Sequence, residues 1–322
     1  AHWQQVAAER YPNGLPKPYS DDPTQWLFHG HPQPATDPLQ VAVARLLGYR
    51  WPAETDAGMD LADEARAWIA HTDKLATHAD DDGLVCLPAV RGEKPAHERL
   101  LALLIDAWET VTPGSWKAST LDRLLAEADC AGKSLEVWLR EKFFEQHAKR
   151  FQHRPFIWHV WDGLKDGFGA LVNYHKLDAR NLERLIHTYL GDWIRIQEAG
   201  VASGLDGAPQ RLAAAQALKK KLEAILEGEA PYDIFVRWKL LAEQPIGWNP
   251  DLKDGVRLNI RPWMTASVLR HNKGPKLNIK WDKDRGKDVE SAPRFAVFKG
   301  DRINDHHLTV AEKKAAREAY GG

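Results

Sequence analysis

Two runs rich in aromatic and β-branched residues, 154–162 and 168–176, flank the five residues Gly163-Leu164-Lys165-Asp166-Gly167. A short linker with glycine at both ends between two such runs predicts a β-hairpin. Almost everywhere else the apolar residues recur at three- and four-residue steps. Leu39, Val43, Leu46 and Leu47 do so behind Pro38, which suits a first helical turn. Residues 58–75, 96–109, 119–129 and 134–150 read as further helices, with Ser134 as an N-cap and Gly132 as a stop. Asp178 caps a helix running to about Glu198. Residues 207–228 form another, with Leu212, Ala215, Leu218, Leu222 and Leu226 on one face and Lys219, Lys220 and Lys221 on the other. These two predict an antiparallel helical hairpin. A short helix is expected at 232–243, and a last one opens at the capping box Thr309-x-x-Glu312.

The expected fold class is α+β, predominantly helical. A helical N-terminal lobe (1–150) precedes a lobe (151–322) built from the β-hairpin, the long helical hairpin and a basic irregular or extended segment, with extended stretches expected at 255–261 and 276–281. The first lobe opens on a Pro-rich entry segment, 11–38, where Trp26, Leu27 and Phe28 would pin the loop to a neighbouring surface. It also contains the acidic turn Asp80-Asp81-Asp82-Gly83 and the apolar run 84–87. Charge divides between the lobes. Residues 1–150 hold 16 Lys/Arg against 23 Asp/Glu, a balance of −7, and residues 151–322 hold 28 against 22, a balance of +6. The net charge of −1 argues against a generic DNA-coating protein and leaves room for a local basic face. Cys86 and Cys130 have no Cys-x-x-Cys spacing, so neither a zinc site nor a disulfide framework is expected, and a reducing cytoplasm fits. No apolar run approaches the ~20 residues of a bilayer span, so no membrane partner is expected. The start, Ala1-His2-Trp3, enters an amphipathic segment without an initiator Met, as a processed start or a fragment of a longer polypeptide would.

Residues 249–287 concentrate the functional signal. Ten Lys/Arg meet four Asp there, interleaved with Trp263, Trp281, Asn259 and Asn278. Two halves echo one another as Leu258-Asn259-Ile260-Arg261 and Leu277-Asn278-Ile279-Lys280. Cations for phosphates, amides for base edges and indoles for stacking are what a nucleic-acid surface needs. Lys253, Arg257, Arg261, Lys280, Lys283 and Arg285 are therefore the expected phosphate contacts. Asn259, Asn278 and Arg154 are the candidates for base edges or sugars. On the hairpin, Arg154, His159, Lys165, Asn173, His175 and Lys176 are expected to form a recognition face, with Lys176 among the DNA contacts. Phe156, Trp158 and Val160 are expected to face the core.

Catalytic chemistry finds no foothold. His29-x-His31 and His306-His307 lack metal-ligand spacing and read as loop histidines bonded to backbone. Pro250-Asp251 begins a nuclease pattern that no well-placed Asp/Glu-x-Lys completes. Neither a phosphate-binding Gly-x-x-x-x-Gly-Lys-Ser/Thr loop nor Gly-x-Ser-x-Gly occurs. Gly167-Phe168-Gly169 opens a strand rather than a helix, and Asn249-Pro250-Asp251-Leu252 lacks the second proline and aromatic ring of a base-flipping methylase loop.

Taken together, the segments 143–147, 154–163 and 170–175 resemble the post-catalytic region of large adenine-specific DNA methyltransferases. These are the enzymes of single-chain restriction-modification and phage-defence systems of the BREX and DISARM kind. Residues 251–262 are similar to a segment near the carboxyl end of the same group. The resemblance spans 20–320 in a consistent order. It implies a target-recognition and clamp portion that holds duplex DNA while another domain, upstream or in a separate chain, flips and methylates adenine. The glycine-rich cofactor motif and Asn-Pro-Pro-Tyr are missing, so no cofactor is expected in this chain, and S-adenosylmethionine would belong to the associated catalytic domain. The expected partners are double-stranded DNA, that catalytic domain and other defence-system proteins. Two other readings stay open: a protein-interaction scaffold of a defence complex, and a metal-dependent nuclease of unrecognised type.

Overall fold

The stretch Pro38–Leu46 contains a single charged residue and is apolar on every side, a composition that a helix tolerates only when it is surrounded. It forms α1, buried from Leu39 to Leu46. The computed structural model describes residues 5–6, 9, 30–58, 61–151, 154–229, 232, 236–240 and 255–270; within the last stretch, side chains are described for 259, 260 and 262–270. The protein is α+β and predominantly helical, with one small sheet. Among the described residues no helix is long and apolar enough to cross a membrane. The chain divides into two compact units, Ala1–Val85 with Pro95–Leu139, and Cys86–Lys94 with Arg140–Gly322.

In the first unit α1 is joined by α2 (Pro52–Thr55), α3 (Asp63–Asp73), α4 (Ala96–Glu109) and α5 (Ala118–Glu127). Among its described residues the charged Arg45 is buried, 7% exposed. The guanidinium donates to both carboxylate oxygens of Glu54 and to the Gly30 carbonyl, and lies 4.9 Å over the Trp51 ring. Glu54 in turn accepts the Trp51 amide N–H at 3.0 Å, closing the first turn of α2. The acidic turn 80–83 is organised by Asp80. Its Oδ1 accepts the amide N–H groups of Asp82 and Gly83 at 3.2 and 3.1 Å, and its Oδ2 accepts Arg99 at 2.9 Å.

The described strands are β1 (Leu84–Cys86), β2 (Ile157–Trp161) and β3 (Gly169–Asn173), and the second unit carries β2 and β3. The predicted hairpin forms, antiparallel, with Ile157 opposite Asn173 and Trp161 opposite Gly169. Asp162 shapes its turn by accepting the Leu164 and Phe168 amides at 3.0 and 2.8 Å. A side chain at Gly167 would collide with that carboxylate, which explains the second glycine. The outer edge of β2 is occupied by residues 268–270. Trp161 donates to the Val268 carbonyl at 2.9 Å, Arg270 donates to the His159 carbonyl at 2.8 Å, and Val160 bridges Leu269.

Both faces of the hairpin are covered, which changes the expectation of one polar face. His159 and Asn173 are each 2% exposed. The helix expected at 134–150 is two, α6 (Leu135–Glu141) and α7 (Phe143–Arg150), and α7 lies over β2. Phe144 meets His159 edge-on at 6.4 Å, and His147 Nε2 accepts the Ile157 amide at 3.1 Å. On the other face Trp158 packs against Tyr174 and Trp263 at 5.3 and 5.5 Å. Asn173 caps the turn after β3 by accepting the His175 amide at 3.0 Å. Segment Cys86–Lys94 belongs to this unit through Leu87, whose amide donates to Gly169 at 2.8 Å, and Arg91, whose amide donates to Asp192 at 2.7 Å. The second unit thus begins at 140 and takes a nine-residue piece from the earlier sequence, whereas the expected division lay at 150/151.

Asp178 caps the following helix, accepting the Asn181 amide at 2.7 Å. That helix is α8 (Ala179–Glu183), a π-helical stretch Arg184–Leu190, and α9 (Gly191–Ala202). With α10 (Ala208–Glu227) it makes the predicted helical hairpin. Arg211 pins the pair to the β-turn by bonding Gln197 and Asp166, each at 2.9 Å. Residues 236–239 form a turn where a helix was expected. The last described element is α11 (Gly255–Thr265), helical where an extended basic segment was expected. Asn259, Ile260 and Trp263 form an i, i+1, i+4 stripe that is buried, and burial of that stripe requires the helix. The extended segment expected at 276–281, the entry loop up to residue 29 and the Thr309 helix lie outside the described residues.

Two substitutions test this packing. Gly169→Ala places a Cβ 2.8 Å from Leu87 Cδ1 and 3.1 Å from His159 Nε2, and is expected to cost about 1–3 kcal/mol in urea denaturation. An unchanged midpoint would show that the sheet face has slack. Glu54→Leu strands the Arg45 guanidinium and is expected to cost about 3–5 kcal/mol, with most of it recovered in the double variant Arg45→Met/Glu54→Leu. Failure of the double variant to recover would mean that the pair is needed for shape rather than for charge balance.

Candidate functional site

Of the ten residues expected to touch DNA, five (Lys253, Asn278, Lys280, Lys283 and Arg285) lie outside the described residues. Arg257 and Arg261 sit one turn apart on α11. Arg154 is exposed just before β2, and Lys176 is half-buried just after β3. The register Ile157–Asn173 therefore gathers both at the open end of the hairpin, away from the glycine-bounded turn. Asn259 is brought to the same end, where its Nδ2 donates to Tyr174 Oη at 2.9 Å. Being 8% exposed, it anchors α11 against the hairpin rather than presenting an amide to a base edge. Trp263, expected to offer an indole for stacking, is 2% exposed and belongs to the core.

Arg237 was missed by sequence reasoning. Its guanidinium lies 4.7 Å over the Tyr174 ring and donates to the Tyr174 and Leu177 carbonyls at 2.7 and 3.0 Å. Beside it Trp158, Leu177, Trp238, Pro262 and Trp263 wall a recess enclosing about 290 Å³, its mouth included. Its walls are almost wholly apolar, and the Trp238 indole N–H is held by the Leu226 carbonyl at 3.0 Å.

A second cluster lies on one face of the sheet. In the antiparallel pairing of Val160 with Leu269, His159 and Arg270 are cross-strand neighbours on the same face, and Trp161 shares that face two residues along β2. Arg270 is 8% exposed, and its guanidinium lies 4.3 Å over the Trp161 ring. Arg140, at the end of α6, donates to the Gly167 and Lys165 carbonyls at 3.3 and 3.4 Å. Burial, helped by the charges of Arg270 and Arg140, holds His159 neutral with its pKa down at about 3. Burial also lowers the Arg270 pKa, against the pull of Glu141. No spacing within one sequence reveals this cluster, because its strands come from segments more than a hundred residues apart.

Among the described residues no group of three or more His, Cys, Asp or Glu is placed to hold a metal ion. His31, read as a loop histidine bonded to backbone, accepts the Gln33 amide at Nδ1 (3.2 Å) and is fully buried. Cys86 and Cys130 are buried thiols. No protein-family model matches the chain, and no curated protein matches it.

Three histidines held neutral by burial are expected to make the fold sensitive to acid. Burial takes His31, His147 and His159 from 6.5 to about 3. Between these values the unfolded chain binds protons that the folded chain does not, so stability falls as pH drops from 6.5 towards 3. Asp80, raised by burial to about 6, opposes this, because its folded form takes up a proton first. Asp162, also raised by burial, sides with Asp80. His175, lowered by burial, and Asp192 and Glu109, lowered by backbone amides, side with the three histidines. The lowered groups outnumber the raised ones, so the denaturant midpoint is expected to fall from pH 7 to pH 4. His147→Gln keeps an acceptor for the Ile157 amide without titrating, and its curve should be shallower. Parallel curves would remove His147 from the account.

Proposed function

We propose that this chain holds duplex DNA through its phosphates, as a recognition and clamp portion without methyl-transfer chemistry of its own. It would serve an adenine-methylating catalytic domain in the same or another chain, in the bacterial cytoplasm, within a restriction-modification or phage-defence system. The observation that carries this reading is the seating of α11. Asn259, Ile260 and Trp263 bury one stripe of that helix. Positions 257 and 261, one turn apart, fall on the other side of it at 100° per residue. An anchored helix thus starts the stretch 255–287, which holds nine Lys/Arg against two Asp. The end of the hairpin that carries Arg154 and Lys176 lies beside it.

In this reading Lys253, Arg257, Arg261, Lys280, Lys283 and Arg285 neutralise phosphates, while Asn278 and Arg154 are left for base edges or sugars. Asn259 and Trp263 hold the helix in place. The likeness of 143–147, 154–163, 170–175 and 251–262 to adenine methyltransferases supports the setting. S-adenosylmethionine would be bound by the catalytic partner.

The test is duplex binding as a function of salt. Six neutralised phosphates imply a slope of log affinity against log salt of roughly −5, and Arg257→Glu/Arg261→Glu should make it shallower by about 2. A slope near zero in the wild-type chain overturns the clamp. Loss of a protein partner alone in the charge-reversed chain, with DNA binding intact, would favour a scaffold.

A further inference from the structure

The sheet face bearing His159, Trp161 and Arg270 contains more polar capacity than the fold uses. Arg270 is more than nine-tenths buried, yet its Nε has no hydrogen-bond partner, and no ion pair to it exists among the described residues. His159 is 98% buried with Nδ1 likewise unpartnered. A guanidinium nitrogen withdrawn from water without an acceptor destabilises a protein, so packing alone is a poor reason for placing it here. Trp161 fixes the plane of the guanidinium by stacking at 4.3 Å, which orients the N–H groups of its edge. Arg140 adds a second guanidinium near enough to bias the ionisation of both His159 and Arg270. Among the described residues the carboxylate that acts on Arg270 is Glu141, which is 40% exposed and faces Lys165 at 3.7 Å. A buried guanidinium whose Nε lacks an acceptor, fixed over an indole and beside an imidazole, matches an oxyanion with several acceptor oxygens.

We propose that Arg270, aligned by Trp161 and flanked by His159 and Arg140, is a binding site for a phosphate group. The proposal deepens the clamp reading and rests on it for the source of the phosphate, a diester of the DNA backbone. In the sequence Arg270 is followed by 271–287, where six Lys/Arg meet two Asp, a composition that favours a polyanionic backbone as the source of the phosphate. The same chemistry would accept a free phosphate or a small phosphorylated compound.

The experiment compares the full chain with Arg270→Gln and Arg270→Lys. Duplex affinity is measured across a salt series, and the denaturation midpoint is measured in inorganic phosphate against chloride at matched ionic strength. In Arg270→Gln the salt slope should become shallower by about 0.9, one phosphate contact, with roughly tenfold weaker binding. Arg270→Lys should keep the slope and lose affinity, because a point charge lacks the fixed fork. Phosphate should raise the midpoint of the wild type more than that of either variant. Equal slopes and affinities in all three chains, with the wild type binding DNA, overturn the site and leave the clamp standing. A wild type that ignores DNA but is stabilised by phosphate through Arg270 keeps the site and overturns the clamp. No response to either probe overturns both. Should Arg270→Gln fail to fold, Arg270→Lys and the wild-type phosphate response still decide the outcome.

Discussion

Three residues, Val268, Leu269 and Arg270, run along the outer edge of β2, and the functional architecture of the second unit depends on that pairing. Two amide bonds and one bridge supply it, from Trp161 to Val268, from Arg270 to His159, and between Val160 and Leu269. The pairing closes an edge that would otherwise stay open to other strands. It also fixes where α11 can lie, because the helix ends only a few residues earlier, at Thr265. Trp263 then meets Trp158 on one face of the sheet, while Arg270 comes over Trp161 on the other. One short backbone pairing thus sets both the anchored basic helix and the cationic cluster.

How much of this was legible depends on the range of the interaction. The hairpin could be read because its signal is local: two runs of strand formers, a five-residue turn, and Asp162 placed to accept two turn amides. The helical hairpin was legible for the same reason, through the Asp178 cap and the leucine stripe of α10. The caps at Ser134 and Asp178 are both used, Ser134 accepting the Val137 amide at 3.2 Å. What failed was long-range. His159 and Asn173 looked like a polar face because alternation cannot show that α7 will cover it. Residues 255–261 looked extended because Pro262 and the cations mask a buried stripe whose partner, Tyr174, lies 85 positions away.

The candidate site was legible in composition more than in geometry. The excess of Lys and Arg after residue 249 is a property of composition, which cannot say which amide or indole is withdrawn into the core. Asn259 was withdrawn because it bonds Tyr174, and Trp263 because it packs against Trp158. In exchange Arg140, Arg237 and Arg270, unremarkable in the sequence, acquire defined positions through aromatic faces and backbone carbonyls.

The polypeptide leaves the first unit at Val85, returns at Pro95 and leaves again at Leu139. Three crossings mean that no single cut in the gene separates the two units. A shortened gene beginning at Arg140 would deprive the Gly169 carbonyl of the Leu87 amide and the Asp192 carboxylate of Arg91. Dissecting the basic half from its acidic neighbour calls for a graft: residues 86–94 must travel with it, carried on an engineered connection.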